Sequence, residues 1–330
     1  MFKKYLRLFD DAHYATQQYK YFSLNQWKWF LNLYQDIFRP IDKCIFQWYF
    51  DAGNYFTVLS LKEDSNIGIY GLLKMNISID TKKVNAYLCH NVGIKKEYSG
   101  KGLFQFIGEK GLTNILTSDN LALGFPNRAS KKGHMRLGWE EIGSMQFIAY
   151  ASDNVKESFS DDTYHFDKVQ EFPQNINELT SATESLFSLR VYKDSDFLNW
   201  RKSKPSTQYD IYLIKEKESK NLVGYLVLKE YTEKNERRLH LVDFLFKNTD
   251  VLNSLIVFVR KYYENNYYDM LNTWIAADSV YKDFFLKQGF FVQDDIPVYP
   301  IILFQKEQRF NFDNIDRNKI FFTLFDNDVF

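Results

Sequence analysis

Val92-Gly93-Ile94-Lys95-Lys96-Glu97-Tyr98-Ser99-Gly100-Lys101-Gly102-Leu103-Phe104 joins a run of strand composition to a run of helical periodicity, with two glycines one residue apart in the joint. Glycine tolerates the left-handed backbone that lets successive N–H groups turn to one side. At the start of a helix those amides converge where the helix dipole also favours an anion, a geometry suited to a pyrophosphate. A lone GxG is also found in tight turns. The glycine spacing is wrong for a GxGxxG dinucleotide fingerprint, and GKG lacks the Walker frame.

The same pattern continues on both sides of this joint. Upstream, Tyr55 to Leu61, Ile67 to Ile79 and Val84 to Ile94 are rich in β-branched and aromatic residues, with Asp-Ser-Asn and Asp-Thr-Lys-Lys turns between them. They predict an antiparallel meander. Before it, Trp27, Phe30, Leu31, Tyr34 and Phe38 recur at helical spacing from Asn25 to Phe38 and stop at Arg39-Pro40, which predicts a helix. Downstream come a helix from Leu103 to Leu116, a strand from Leu121 to Phe125, a short helix from Pro126-Asn127 to Leu137, then Gly138 and a last strand from Met145 to Ala151. Hairpins followed by alternating helices and strands predict an α/β (α+β) fold on a mixed, mostly antiparallel sheet flanked by helices.

The order then repeats. A polar, acidic stretch, Ser152 to Asp162, reads as a linker between domains at 1–157 and 158–330. Trp48, Gly71 and Gly138 in the first half keep step with Trp200, Gly224 and Gly289 in the second, at offsets of 151 to 153 positions. A repeat of this length means duplicated domains rather than a solenoid. Where the second copy should carry its phosphate loop, it reads Leu245-Phe246-Lys247-Asn248-Thr249-Asp250-Val251-Leu252, without glycine and with an added acid. The second domain is therefore expected to lack that anion cradle.

Composition narrows the function classes. Lys+Arg and Asp+Glu are both 42, so the formal charge is zero, which argues against nucleic acid or an acidic membrane surface as partner. Hydrophobic residues make up 45%, enough for a core in each half. The 31 Phe, 23 Tyr and 6 Trp are attributed to those cores before any ring-stacking surface. Cys44 and Cys89 have no Cys or His neighbour at metal-ligand spacing, so no metal site is expected and a reducing cytoplasm suits them. Neither a signal peptide nor a membrane span is read from the chain.

On Glu97 to Gly102, a Q/R-x-x-G-x-G/A-type loop between strand and helix, the chain resembles the GNAT superfamily of acetyl-CoA-dependent acyltransferases. Asn127, Ser130, Leu137-Gly138 and Trp139 resemble that superfamily's later motif. Glu97 departs from the usual Gln or Arg, and Ser99 from a common Arg. The resemblance implies two tandem GNAT domains and acetyl-CoA as cofactor. It implies that Val92, Gly93 and Ile94 face the pantetheine arm, and that the amides of Ser99, Gly100, Lys101, Gly102, Leu103 and Phe104 hold the pyrophosphate, with Asn127 and Ser130 nearby. More narrowly, LALGFPNRASKKGHMRLGWEEIG, FLNWRKSKPSTQYDIY and the closing FFTLFDNDVF resemble tandem GNAT proteins of bacterial surface-polysaccharide synthesis. This implies a small-molecule amine acceptor on a nucleotide-linked amino sugar.

Acetyl transfer to an amine needs a neutral nucleophile, a polarised thioester carbonyl and an acid for the leaving thiolate. His90, two residues before Val92, is expected on Val92's strand face and is a candidate base; the plainer alternative is a buried, hydrogen-bonded histidine. His134, four residues before Gly138, falls where the superfamily often carries an acid tyrosine; its alternative is a helix-surface residue. Asp326 and Asp328, two apart on an expected strand, present both carboxylates to one side and are substrate candidates, as are Trp48, Trp200 and Arg201. Two rivals stand beside this reading. A cell-wall peptidyl or aminoacyl transferase using aminoacyl-tRNA is opposed by the zero net charge, and a binding protein with decayed sites is suggested by Glu97 and the glycine-poor second copy. The chain is expected to be a monomer or a homodimer.

Overall fold

Asp80 and Thr81 both have positive φ, 45° and 68°, the left-handed pair that a two-residue hairpin turn between right-twisted strands requires. The computed structural model describes residues 13–61, 65–151, 163–233 and 235–327. The stretch read as a linker and the candidate Asp328 lie outside those described residues.

In chain order the first half carries β1 (Tyr14–Tyr19), α1 (Leu24–Ile37), α2 (Lys43–Asp51), β2 (Tyr55–Leu61), β3 (Ser65–Ile79) and β4 (Lys82–Ile94). It continues with α3 (Leu103–Ile115), β5 (Asn120–Gly124), α4 (Arg128–Arg136) and β6 (Glu140–Tyr150). The second half carries β7 (Tyr164–Val169), α5 (Ile176–Ala182), β8 (Leu189–Val191), α6 (Ser195–Lys202), β9 (Asp210–Glu216), β10 (Leu222–Glu233) and β11 (Glu236–Phe246). It ends with α7 (Thr249–Asn265), β12 (Met270–Ala276), α8 (Lys282–Lys287), β13 (Phe291–Val292), β14 (Tyr299–Gln305) and β15 (Ile320–Phe321). The mixed α/β class is as expected.

Two compact units form, and they do not follow a single cut at 157/158. One takes residues 1–76, 84–141 and 300–311; the other takes 77–83, 142–299 and 312–330. Each unit thus receives a strand from the other half of the sequence. In the first unit β5 pairs in parallel with β4 and antiparallel with β14, with Gly124 opposite Ile302. In the second, β12 pairs in parallel with β11 and antiparallel with β6, with Trp274 opposite Phe147. Both exchanged strands are apolar at the positions that face the recipient core: Ile302 and Ile148 are fully buried.

On one face of the first sheet lies α3, whose Leu103, Phe106, Ile107 and Leu112 are buried with Leu59, Ile67, Tyr70 and Trp139. Gly108 and Gly111, one turn apart, bring this helix onto Tyr70: a Cβ at either would stand 3.1 Å from its ring. The other face is covered by α1 and α2 through rings in tilted and edge-on contact. Phe22 lies 4.1 Å from Phe30, and Phe30 lies 4.9 Å from Phe46 and 5.1 Å from Phe56. Much of the aromatic content is accounted for here, as core.

In the second unit β7, α5, α6, β9, β10, β11, α7, β12 and α8 follow the order of β1 to α4, with β8 inserted between the first two helices. Lys95 N–H donates to Ile67 O at 2.8 Å in the first, and Lys247 N–H to Val223 O at 2.9 Å in the second. Gly138 and Gly289 share φ values of 91° and 90°. One landmark shifts: those paired bonds set Gly224 against Gly68 rather than Gly71. A Cβ on Gly68 would meet Gly93 O, and one on Gly224 would meet Leu245 O, so both glycines admit the same close strand approach.

Candidate functional site

The strand before the glycine loop bends at one residue. Asn91 has φ of 48°, and β4 pairs with β5 only as far as Cys89 opposite Gly124. Beyond that rung β4 runs on without β5. The bend also resets the strand's alternation. Cys89, Val92 and Ile94 pack toward the α3 face, whereas His90 packs among Tyr49 and Phe56, at 4.7 and 5.6 Å, on the other. His90 and Val92 are therefore on opposite faces, contrary to the period-two expectation. Gly93 lies under α1: a Cβ there would come 2.3 Å from Ile37 Cγ2.

At the loop, Gly100 and Gly102 take φ values of 78° and 80°. A Cβ on Gly100 would meet no atom within 4 Å, so the backbone angle demands this glycine and crowding does not. Gly102 is the N-cap of α3 and brings no side chain to cap it. Among the described residues no protein acceptor takes the amides of Gly100, Lys101, Gly102, Leu103 or Phe104. Ser99 differs from the expectation, because its amide donates to Lys96 O at 3.1 Å. Lys101 stands with its ammonium 5.1 Å from the Tyr98 ring. The result is a run of five donors at the positive end of a helix.

His134, on α4, is not a surface residue. Its ring is 4% exposed among Phe104 at 5.1 Å and Trp139 at 5.3 Å. Nδ1 lies 3.0 Å from Ser130 O; a carbonyl only accepts, so Nδ1 carries the proton and Nε2 the lone pair. Nε2 lies 3.5 Å from Cys89 Sγ. Burial, against the pull of the Ser130 carbonyl, lowers the imidazole from 6.5 to about 4, so it is neutral at physiological pH. The sulfur is half-buried and not in a disulfide. Tyr70 and Trp139 complete the group: neither the tyrosine hydroxyl nor the indole N–H makes a hydrogen bond of standard geometry. Burial first, and then the Cys89 sulfur, raise Tyr70 well above the usual phenol value, with Trp139 pulling the other way.

His90 is held differently. Nε2 lies 2.7 Å from Asn54 Oδ1, and Nδ1 lies 2.7 Å from Asn91 Nδ2. An amide nitrogen donates and an amide oxygen accepts, so this ring is the Nε2–H tautomer with both nitrogens engaged. Asn91 in turn accepts from Tyr34 at 2.8 Å. This network fixes the bend in β4.

The other candidates scatter. Asn127 caps α4, accepting from Ser130 N–H at 3.0 Å and Ser130 Oγ–H at 3.1 Å, so both serve the helix start. Trp48 is buried in α2 beside Tyr49. Trp200 is half-buried on α6. Arg201 next to it is buried, donates to Asn327 O at 2.7 Å and lies over the Phe325 ring. Asp326 sits in a 3-10 turn and not on the expected strand; it is buried, 3.0 Å from Lys193, which also bridges to Asp243 at 2.6 Å. Burial raises the Asp326 carboxyl, with Lys193 opposing and Asp243 adding to the rise. In the second unit's loop the amides of Asp250 and Val251 donate to Asn248 Oδ1 at 3.1 and 3.0 Å. Sequence reading passed over Cys89 and Tyr70, which only the sheet register and the seating of α4 bring to His134. Among the described residues no cluster of His, Cys, Asp or Glu is fit to hold a metal ion, and no helix is long and apolar enough to cross a membrane.

No family model matches the sequence, and no curated protein matches it. Solved structures do. The GCN5-related N-acetyltransferase from Anabaena variabilis is similar with a TM-score of 0.70 at 15% identity, covering 88% of this chain and 72% of that one. An Enterococcus faecalis protein described as a probable N-acyltransferase is similar at 0.65 and 10%, covering 88% and 72%. Saccharomyces cerevisiae N-myristoyltransferase with bound myristoyl-CoA is similar at 0.58 and 11%, covering 90% and 83%. The fold is therefore that of the GCN5-related N-acetyltransferases.

Proposed function

We propose that this protein is an acyl-CoA-dependent N-acyltransferase that moves acetyl from acetyl-CoA to a primary amine, carried on a nucleotide-linked amino sugar. The observation that carries the reading is the run of five amides from Gly100 to Phe104 at the start of α3, with two left-handed glycines and no protein acceptor among the described residues. Such a cradle fits a pyrophosphate. The shared fold supports it, since one similar structure holds myristoyl-CoA. The amino-sugar acceptor rests on the sequence resemblance alone.

Acetyl-CoA supplies an activated thioester carbon; the chain's residues do the rest. The loop amides bind the anion, and the backbone of Val92, Gly93 and Ile94, past the last β4–β5 rung, lines the arm. Burial around Phe104 and Trp139 excludes water. Proton movement belongs to His134, whose Nε2 lone pair makes it an acceptor first. His90, with both nitrogens engaged by side-chain amides, positions the β4 bend and is not assigned proton transfer.

Calorimetry with acetyl-CoA tests the cradle: Gly102→Val, which forces a β-branched residue to φ of 80°, should lose the binding heat while remaining folded. Undiminished heat in that variant sinks the phosphate reading. Release of CoA thiol with a nucleotide amino sugar, and none with lysine peptides, is expected for the acceptor; the reverse overturns it. Faster turnover of myristoyl-CoA than acetyl-CoA would remove the acetyl assignment.

A further inference from the structure

We propose that Cys89 is a nucleophile that carries the acyl group between the thioester donor and the amine. The inference rests on the acyl-CoA reading above and adds a covalent step to it.

Cys89 stands at the last rung that β4 shares with β5, opposite Gly124, which brings no side chain of its own to that rung. It is half-buried where the strands part, while the base facing it is buried: His134 Nε2 lies 3.5 Å away. Ser130 O fixes the His134 tautomer so that the lone pair points at the thiol. A nucleophile, a base and a group orienting the base form the constellation that activates a thiol. Tyr70, fully buried, and Trp139, 2% exposed, bring a hydroxyl and an N–H to the same spot, where the tyrosine interacts with both the Cys89 sulfur and the indole. Those donors suit an oxygen that gains charge as a carbonyl is attacked. Cys44, the other cysteine, sits in the first turn of α2 with no such setting.

The chemistry balances. His134 Nε2 takes the Cys89 proton as the sulfur attacks the thioester carbon, and the carbon–sulfur bond to CoA breaks. The CoA thiolate leaves with that proton, and the acyl group stays on Cys89. The amine then attacks the same carbon, the Cys89–acyl bond breaks, and the amine's surplus proton returns to the Cys89 sulfur through His134.

Three measurements test this. With acetyl-CoA and no amine, the intact protein should gain one acetyl group, mapped to Cys89 and not Cys44, and should exchange labelled CoA into acetyl-CoA. Cys89→Ala should abolish both while its calorimetric binding of acetyl-CoA persists. Without any CoA, iodoacetamide should alkylate Cys89, and His134→Asn should slow that reaction roughly 10²-fold or more, the general-base range, without changing Cys44. Binding heat with no acetyl on Cys89 and no exchange would overturn the proposal and leave the acyl-CoA reading intact; no binding heat would overturn both. Alkylation of Cys89 at an unchanged rate in His134→Asn, or a Cys89 that iodoacetamide does not reach, would also overturn it.

Discussion

His134 and His240, one in each unit, are held neutral by burial and titrate near 4 instead of 6.5. The unfolded chain takes up a proton at each as pH falls through about 6.5, and the folded chain does so only near 4. Folding stability should therefore be fully present above pH 6.5 and fall steadily toward pH 4, on the order of 3 kcal/mol per histidine at most. Urea unfolding at pH 7 and pH 4.5 measures it, and His240→Asn should flatten the slope; equal stability at both values contradicts the assignment. A second residue-scale expectation concerns Gly71, where a Cβ would come 2.6 Å from His90 O and 2.9 Å from Nε2. Gly71→Ala should cost about 1–3 kcal/mol, the range for overpacking, because the crowded atom is backbone; a variant as stable as the parent in urea would show that β3 and β4 can separate freely. Part of the site was legible at this scale. Gly100 and Gly102 announce themselves, since positive φ selects glycine. The pairing of Cys89 with His134 does not, because residues 45 positions apart meet only after α4 has docked. The bend at Asn91 likewise could not be read from an alternation that it breaks.

The helices α3 and α7 begin differently. In α3 the N-cap is a glycine and its amides find no protein acceptor among the described residues; in α7 the side chain of Asn248 takes two of the corresponding N–H groups, and Asp250 adds a carboxylate in the first turn. A pyrophosphate at α7 would have to displace that cap against like charge. Titration should give one acetyl-CoA per chain. Asn248→Ala should lower stability by about 1 kcal/mol and leave acetyl-CoA affinity unaltered; two molecules per chain, or weakened binding in that variant, would refute the single cradle. Elements were the most legible scale. The helix expected from Asn25 to Phe38 runs from Leu24 to Ile37, and the one expected from Leu103 to Leu116 ends at Ile115, because apolar spacing and caps are local signals. The helix α2 was not anticipated as a helix: Lys43–Asp51 is aromatic and nearly continuous in apolar character, so its period is hidden, although Trp48 marked it as a landmark.

At the scale of the whole molecule, the exchange of β6 and β14 decides what can be cut. Local patterning identified both as strands but carries no information on which sheet receives them, so the expected boundary gave each half its own last strand. A fragment ending at Asp161 retains β6 and loses β14, the antiparallel neighbour of β5, together with the buried Ile301, Ile302 and Leu303. It should fail to give a cooperative urea transition, and adding a peptide of residues 299–311 should restore one; a stable fragment without the peptide would show that β14 is dispensable. The same feature sets a timetable for the nascent chain. The glycine loop and α3 are made early, yet the free edge of β5 stays open until β14 has left the ribosome. For most of synthesis Leu121, Ala122 and Leu123, fully buried in the finished protein, lie along an unpaired strand edge, the surface through which chains stick to one another. Slow translation, or a stop codon shortly before Tyr299, should yield aggregates rather than a soluble truncated chain.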